Sequence, residues 1–341
     1  MIVDGDLDAS NLKTAASVAA KQEEAGYDAL WTAEIAHDPF FPLTLAAPAT
    51  KHVELGTRVA VAFARNPMVL ANIGWDLQHL SDGRFILGLG SQIRPHITRR
   101  FSMEWSKPAA RMREMVLAIH AIWDSWLTGD RLDFQGDFYT HTLMTPFFVP
   151  DPTELSVIGK PKIFLAAVGP LMTEVAGEVC DGIICHGFTT ERYLREVTVP
   201  ALLRGRAKVG KTMDGFEISG PFFVVSGETQ DEVEAAKAGT RQQIAFYAST
   251  PAYKAVLELH GWGDLQTELN NLSKQGKWEA MGEAIDDDVL DAFAVVREPA
   301  AVAGELTKRF GDVLHRLGVY RPYSSESEWW LDIMDDLKAI N

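Results

Sequence analysis

The sequence has almost no cysteine, no long apolar run and no excess of basic charge, and each deficit removes a class of function. Its only cysteines, Cys180 and Cys185, flank one short apolar run. Neither a disulfide framework nor a zinc site is therefore supported. No stretch approaches the roughly eighteen consecutive apolar residues of a membrane span. Asp4, Asp6 and Asp8 stand near the start, ahead of a polar amphipathic stretch, which is unlike a secretory leader. Acidic residues outnumber basic ones, 47 to 32, for a formal charge of −15. That balance disfavours non-specific nucleic-acid binding and attraction to an anionic membrane. The expectation is a cytoplasmic protein acting on a small molecule, with neither nucleic acid nor membrane as partner.

Several reactive motifs are missing too. Gly83, Gly88 and Gly90 do not have dinucleotide-fingerprint spacing, and there is no phosphate-cradling Walker loop. No metal-ligand motif, nucleophile elbow or strand-end Schiff-base lysine is evident, so no metal is expected. Zinc hydrolysis, serine hydrolysis and sugar-phosphate aldolase chemistry all lose ground.

What is present is alternation. Short apolar runs at Ile2–Gly5, Asp28–Ala33, Val53–Phe63, Arg84–Gly90, Ile163–Ala167, Asp181–His186, Phe216–Val225 and Ala292–Val296 are separated by helical patterns. Repeated strand–helix units with apolar strands imply a parallel sheet, and eight of them suggest closure into a (β/α)8 TIM barrel. With 341 residues and 47% of them apolar, the chain suits one large domain spanning 1–341. A segment of about 231–288, too long for one helix, reads as a helical insertion between strands seven and eight. Leu132 to Leu143 reads as a small hairpin turning at Gly136-Asp137. The last stretch, about 326–340, predicts a helix with Trp329, Trp330, Ile333, Met334 and Leu337 on one side.

Barrel enzymes place chemistry at the C-terminal strand ends, which selects few residues. His37 and Asp38 follow the second strand and are the candidates for proton handling; the plainer reading is a loop histidine beside a turn-forming Asp-Pro. Glu34 is either a catalytic group or a support for that loop. Arg94 and His96, after the fourth strand, are either substrate contacts or solvated loop residues. His186 is a ligand contact or a satisfied core histidine, whereas Cys185 reads as a small buried residue. Phe40, Phe41, Trp105 and residues in the 246–262 insertion are candidates for an apolar substrate wall, although core packing is the commoner fate of such side chains. Gly88 and Gly90 leave room for a flat ligand against the backbone. Ala166-Ala-Val-Gly-Pro-Leu-Met172 ends a strand and opens a helix, whose free amides suit a phosphate.

These motifs are similar to those of a known family. Trp31-Thr-Ala-Glu-Ile-Ala-His-Asp-Pro39, Leu55-Gly-Thr-Arg-Val59, Gly83-Arg-Phe-Ile-Leu-Gly-Leu-Gly90, Ala166-Ala-Val-Gly-Pro170 and Asp181-Gly-Ile-Ile184 occur in that order over nearly the whole chain. Together they resemble the bacterial luciferase-like superfamily of flavin and deazaflavin enzymes. Ala62-Phe-Ala-Arg-Asn-Pro67, Arg94-Pro-His-Ile-Thr-Arg-Arg-Phe101 and Ala248-Ser-Thr-Pro-Ala-Tyr253 resemble the branch that uses coenzyme F420.

The resemblance implies an insertion-bearing TIM barrel with a deazaflavin ring in its mouth. It implies a non-prolyl cis peptide at Arg58–Val59, with Arg58, Val59 and Ala60 behind the ring. Gly90, Ser91 and Gln92 would flank the ring or its ribityl chain. Ala167, Val168, Gly169, Pro170 and Met172 would hold the phosphate. Asp38 would stand at the ring edge beside His37 as acid or base. The implied activity is hydride transfer between F420 and a small organic substrate, in a homodimer. Two other readings use the same fold: a monooxygenase employing reduced FMN, and a flavin-binding protein without turnover.

Overall fold

The structure, a computed structural model, describes residues 1–8, 10–323 and 329–340. The apolar runs pair in parallel. β1 (Ile2–Asp6), β2 (Ala29–Thr32), β3 (Glu54–Thr57), β4 (Phe85–Gly90), β5 (Lys162–Ala167), β6 (Gly182–Cys185), β7 (Glu217–Val225) and β8 (Arg316–Tyr320) follow one another around a barrel. Each hydrogen-bonds to the next, and β8 returns to β1 to close it. Because the strands are parallel, all their C-terminal ends open on one mouth.

The eighth strand is not where the apolar pattern put it. Ala294–Val296 pairs with Phe223–Val225, the far end of β7, and so extends the sheet beyond the barrel wall. A helix, Pro299–Phe310, intervenes before the chain enters β8. β8 hides from a hydrophobicity reading because its inward residue is charged. Arg316 is fully buried and meets Asp4 at 3.1 Å, Glu54 at 2.6 Å and Glu217 at 2.9 Å. Above this charged floor the barrel interior is apolar, with Ala29, Trp31, Ile86, Phe164 and Ile184 in one cluster.

Local signals explain the element boundaries. Asn11 and Asn66 accept backbone N–H bonds at the starts of Leu12–Glu24 and Pro67–Leu80. Thr229 and Glu232 form a reciprocal capping box at the start of Gln230–Ala248. Between β7 and Ala294 lie the helices Gln230–Ala248, Lys254–Leu259, Gly263–Lys274, Trp278–Glu283 and Asp287–Phe293. Their apolar faces pack with Phe188, Phe223 and Val225 in a second core over one side of the mouth. The hairpin forms at Phe134–Gln135 and Thr140–His141. The C-terminal helix, Trp329–Ala339, buries all five of its expected apolar residues in the main core; residues 326–328 of that expectation lie outside the described residues. Among the described residues no helix is long and apolar enough to cross a membrane.

Candidate active site

The loop after β2 is built around a residue outside the candidate set, Arg65. Its Nη1 donates to Glu34 Oε2 at 2.6 Å and its Nη2 to Asp38 Oδ2 at 2.8 Å. Glu34 and Asp38 are four residues apart, so one guanidinium fork closes the loop between them. Glu34 Oε2 also accepts from the Val61 N–H at 2.7 Å, and Asp38 Oδ1 from the Phe40 N–H at 2.9 Å. The Arg65 and Glu34 side chains are 13% and 7% exposed. Arg65 is itself fixed by the Asn66 cap that follows it and by the Phe40 ring, 5.3 Å from its guanidinium. Glu34 thus supports the loop. His37, between the two acids, is exposed. Nearby, the Asp8 carboxyl is held low mainly by hydrogen bonds from Ser10, with a smaller contribution from His37.

After β3 the chain steps sideways. The Arg58–Val59 peptide is cis, as the resemblance implied, and Ala60–Val61 then pairs with Leu89–Gly90. This step takes up the room left by the glycines of β4. A Cβ on Gly88 would collide with the Thr57 carbonyl oxygen, and one on Gly90 would lie 2.5 Å from Val59 Cγ2. The clearance expected for a flat ligand is thus occupied by the neighbouring strand. Thr57 completes the join, its hydroxyl donating to the Gly88 carbonyl at 2.6 Å and accepting from the Gly88 N–H at 3.0 Å. The Arg58 guanidinium turns into the barrel, paired with Asp6 and 3.9 Å from Asp4. Among the described residues its Nη1 has no hydrogen-bond partner.

Beyond β4, Ser91 and Gln92 are half-buried, and Gln92 adopts φ 59° with its Oε1 accepting from the Ile93 N–H at 2.9 Å. Arg94 and His96 are exposed. The loop is tied to the β2 loop by Arg100, which donates to the Ile35 carbonyl. Phe41 is 62% exposed on the helix Phe40–Ala46.

At the end of β5, Gly169 precedes the helix Pro170–Val179 without any side-chain cap. A Cβ built on Gly169 meets nothing within 4 Å. The first amides of this helix have no intrahelical acceptor, and the helix dipole favours an anion there. Ala167 is buried, Val168 and Met172 are half-buried and Pro170 is exposed, which leaves an uncapped, sterically open helix start suited to a phosphate. At the end of β6, His186 Nδ1 accepts from the Phe188 N–H at 2.9 Å. Burial pushes its pKa down to about 4, so the ring is neutral with its proton on Nε2. Burial raises the neighbouring Cys185 thiol to about 12, which makes it a poor nucleophile.

Over residues 3–319 the chain matches the family described as luciferase-like monooxygenases. It belongs to that family. An uncharacterized protein of Mycobacterium tuberculosis is 56% identical over 90% of both chains. A putative coenzyme F420-dependent oxidoreductase of the same organism is 28% identical over 82% of this chain and 83% of its own. The coenzyme F420-dependent tetrahydromethanopterin reductase of Methanopyrus kandleri superposes with a TM-score of 0.76 at 17% identity, over 98% of this chain and 96% of that one.

In this luciferase-like barrel, the anticipated residues divide between the two sides of the mouth. Glu34, His37, Asp38, Arg58, Val59 and Ala60 gather at the ends of β2 and β3, beside Ser91 and Gln92 after β4. His186 stands across the barrel with Tyr247, inside the 246–262 insertion offered as a pocket lining, and with Tyr320, which the sequence did not single out as a site. Arg65 was also missed. Its only sequence signal was a place in the Ala62–Pro67 motif, because its partners lie 31 and 27 residues away.

Proposed function

We propose that this luciferase-like protein is an oxidoreductase that binds the deazaflavin coenzyme F420 across the barrel mouth and exchanges a hydride with a small organic substrate. The observation that carries this reading is the Arg65 clamp. It fixes the β2 loop through Glu34 and Asp38, and Val61, just past the cis step, shares the Glu34 carboxylate. A preorganised wall of this kind suits a rigid ring system that must be held in one pose. The relative and the structural neighbour named for F420 support the same assignment.

Val59 and Ala60 would back the ring, and Ser91 and Gln92 would flank its ribityl chain. The open amides of Leu171 and Met172, behind Gly169 and the N–H-less Pro170, would receive the phosphate. Bound there, a deazaflavin supplies two-electron hydride chemistry, because carbon stands where a flavin has its reactive nitrogen. The chain itself must hold the substrate against that face, exclude water and move a proton. His37 is suited to moving the proton, since it is exposed on the clamped loop and belongs to the residue type that titrates near neutrality. His37→Ala is expected to keep the fold and lose turnover by about 10²-fold or more. A structure with F420 bound tests the whole assignment. Density for the ring beside Arg58–Val59 and for the phosphate at Gly169 supports it, and a ring located elsewhere overturns it.

A further inference from the structure

The wall of the mouth opposite the Arg65 clamp is made of aromatic side chains with hydroxyl and imidazole tips. Tyr320 ends β8, stacks on Phe223 at 4.8 Å and lies against Gly187, where a Cβ would come within 3.1 Å of its ring. Tyr247, from the helix Gln230–Ala248, brings its hydroxyl 3.0 Å from that of Tyr320. The Tyr247 ring meets His186 edge-on at 4.7 Å, and Tyr253 meets it on another side at 4.8 Å. His186, Tyr247, Tyr253 and Tyr320 are each half-buried. They are therefore packed firmly enough to be rigid while still presenting surface.

The hydrogen-bond inventory of this wall is unbalanced. Gln243 also hydrogen-bonds the Tyr247 side chain; with its amide N–H donating there, the two phenols use one hydroxyl hydrogen between them and leave the other to donate elsewhere. His186 accepts through Nδ1 from the Phe188 N–H, so its Nε2 also carries a hydrogen to donate. Burial raises both tyrosine pKa values, so neither ionises near neutrality. The nearby charges, Asp6 and Arg58, are paired with each other. Among the described residues, the wall thus combines flat apolar faces with surplus neutral donors and no unpaired charge. A ligand complementary to it is planar, uncharged and equipped with an accepting oxygen.

We infer that Tyr247, Tyr320, Tyr253 and His186 form the substrate subsite, and that it takes uncharged planar conjugated carbonyl compounds, with the carbonyl oxygen on the Tyr247–Tyr320 pair and the ring against Tyr253 and His186. This inference rests on the oxidoreductase reading for its role, but its binding test needs no cofactor. Equilibrium dialysis of the full chain, with and without F420, would compare 2-acetonaphthone, 2-ethylnaphthalene and 2-naphthoate. The ketone is expected to bind about ten-fold more tightly than the hydrocarbon, which lacks the acceptor, and than the carboxylate, whose charge the wall does not compensate.

Tyr247→Phe combined with Tyr320→Phe should erase the preference of ketone over hydrocarbon while leaving hydrocarbon binding within about two-fold. The wild-type ranking alone decides the matter should the double variant fail to fold. Equal binding of all three probes, tighter binding of the carboxylate, absence of ketone binding with and without F420, or a folded double variant that keeps the preference would each overturn the subsite. Ketone binding by a protein that does not bind F420 would leave the subsite standing and sink the cofactor assignment. F420 binding without ketone binding would do the reverse.

Discussion

Arg65 Nη1 lies 2.6 Å from Glu34 Oε2, with both side chains largely removed from solvent. The contact joins the turn after β3 to the loop after β2. Removing one partner leaves the other charged and poorly hydrated, a loss larger than the net worth of the pair. Arg65→Met is expected to lower unfolding free energy by about 2–4 kcal/mol in urea denaturation and to weaken F420 binding through the loosened loop. An unchanged denaturation midpoint would show that the fork does not hold the loop.

Two glycines near the mouth should respond oppositely to alanine. Gly88→Ala drives a methyl into the Thr57 carbonyl and is expected to cost about 3 kcal/mol or more, read as loss of soluble protein or of thermal midpoint. Gly169 has φ −78° and open space around it, so Gly169→Ala should leave stability within about 0.5 kcal/mol. Its methyl would instead occupy the region assigned to the phosphate and weaken F420 binding. Equal stability loss at both positions would contradict this division.

His186 makes stability depend on pH. Its pKa is pushed from 6.5 to about 4 by burial. Between those values the unfolded chain binds a proton that the folded chain does not, so stability falls as pH drops through the window. Discounted for partial exposure, the contribution between about pH 7 and pH 5 is about 1 kcal/mol. His186→Gln should therefore lose about that much less stability than the wild type over the same interval. Parallel pH profiles for the two proteins would be the contrary result.

At the floor of the barrel, Arg316→Met would leave Asp4, Glu54 and Glu217 without their shared cation. A cost of about 3–5 kcal/mol is expected, measurable by chemical denaturation. A smaller loss at low pH, where the carboxylates can take up protons, would confirm its electrostatic origin.

The repeat of strand and helix, the strand ends and the cis step were legible because each leaves a local mark. Apolar runs such as Phe85–Gly90 announce a doubly covered strand, and Leu55-Gly-Thr-Arg-Val59 matches a known motif. β8 was not legible, since its inward Arg316 is neutralised by carboxylates from three other strands that no window of sequence contains. The purpose of Gly88 and Gly90 was misread for a related reason. A glycine announces close approach without saying what approaches, and here it is Thr57 and Val59. Arg65 and Tyr320 were missed, and Tyr247 was anticipated only as part of the 246–262 insertion, because their partners are distant in sequence, the two tyrosines being 73 residues apart.

Titration of the purified chain with F420 and with FMN, followed by the fluorescence of each ring, tests the cofactor assignment most directly. F420 is expected to bind in the micromolar range or tighter, at least about ten-fold more tightly than FMN, and to lose affinity in Arg65→Met and Gly169→Ala. Tighter binding of FMN, or no saturable binding of F420, would contradict it.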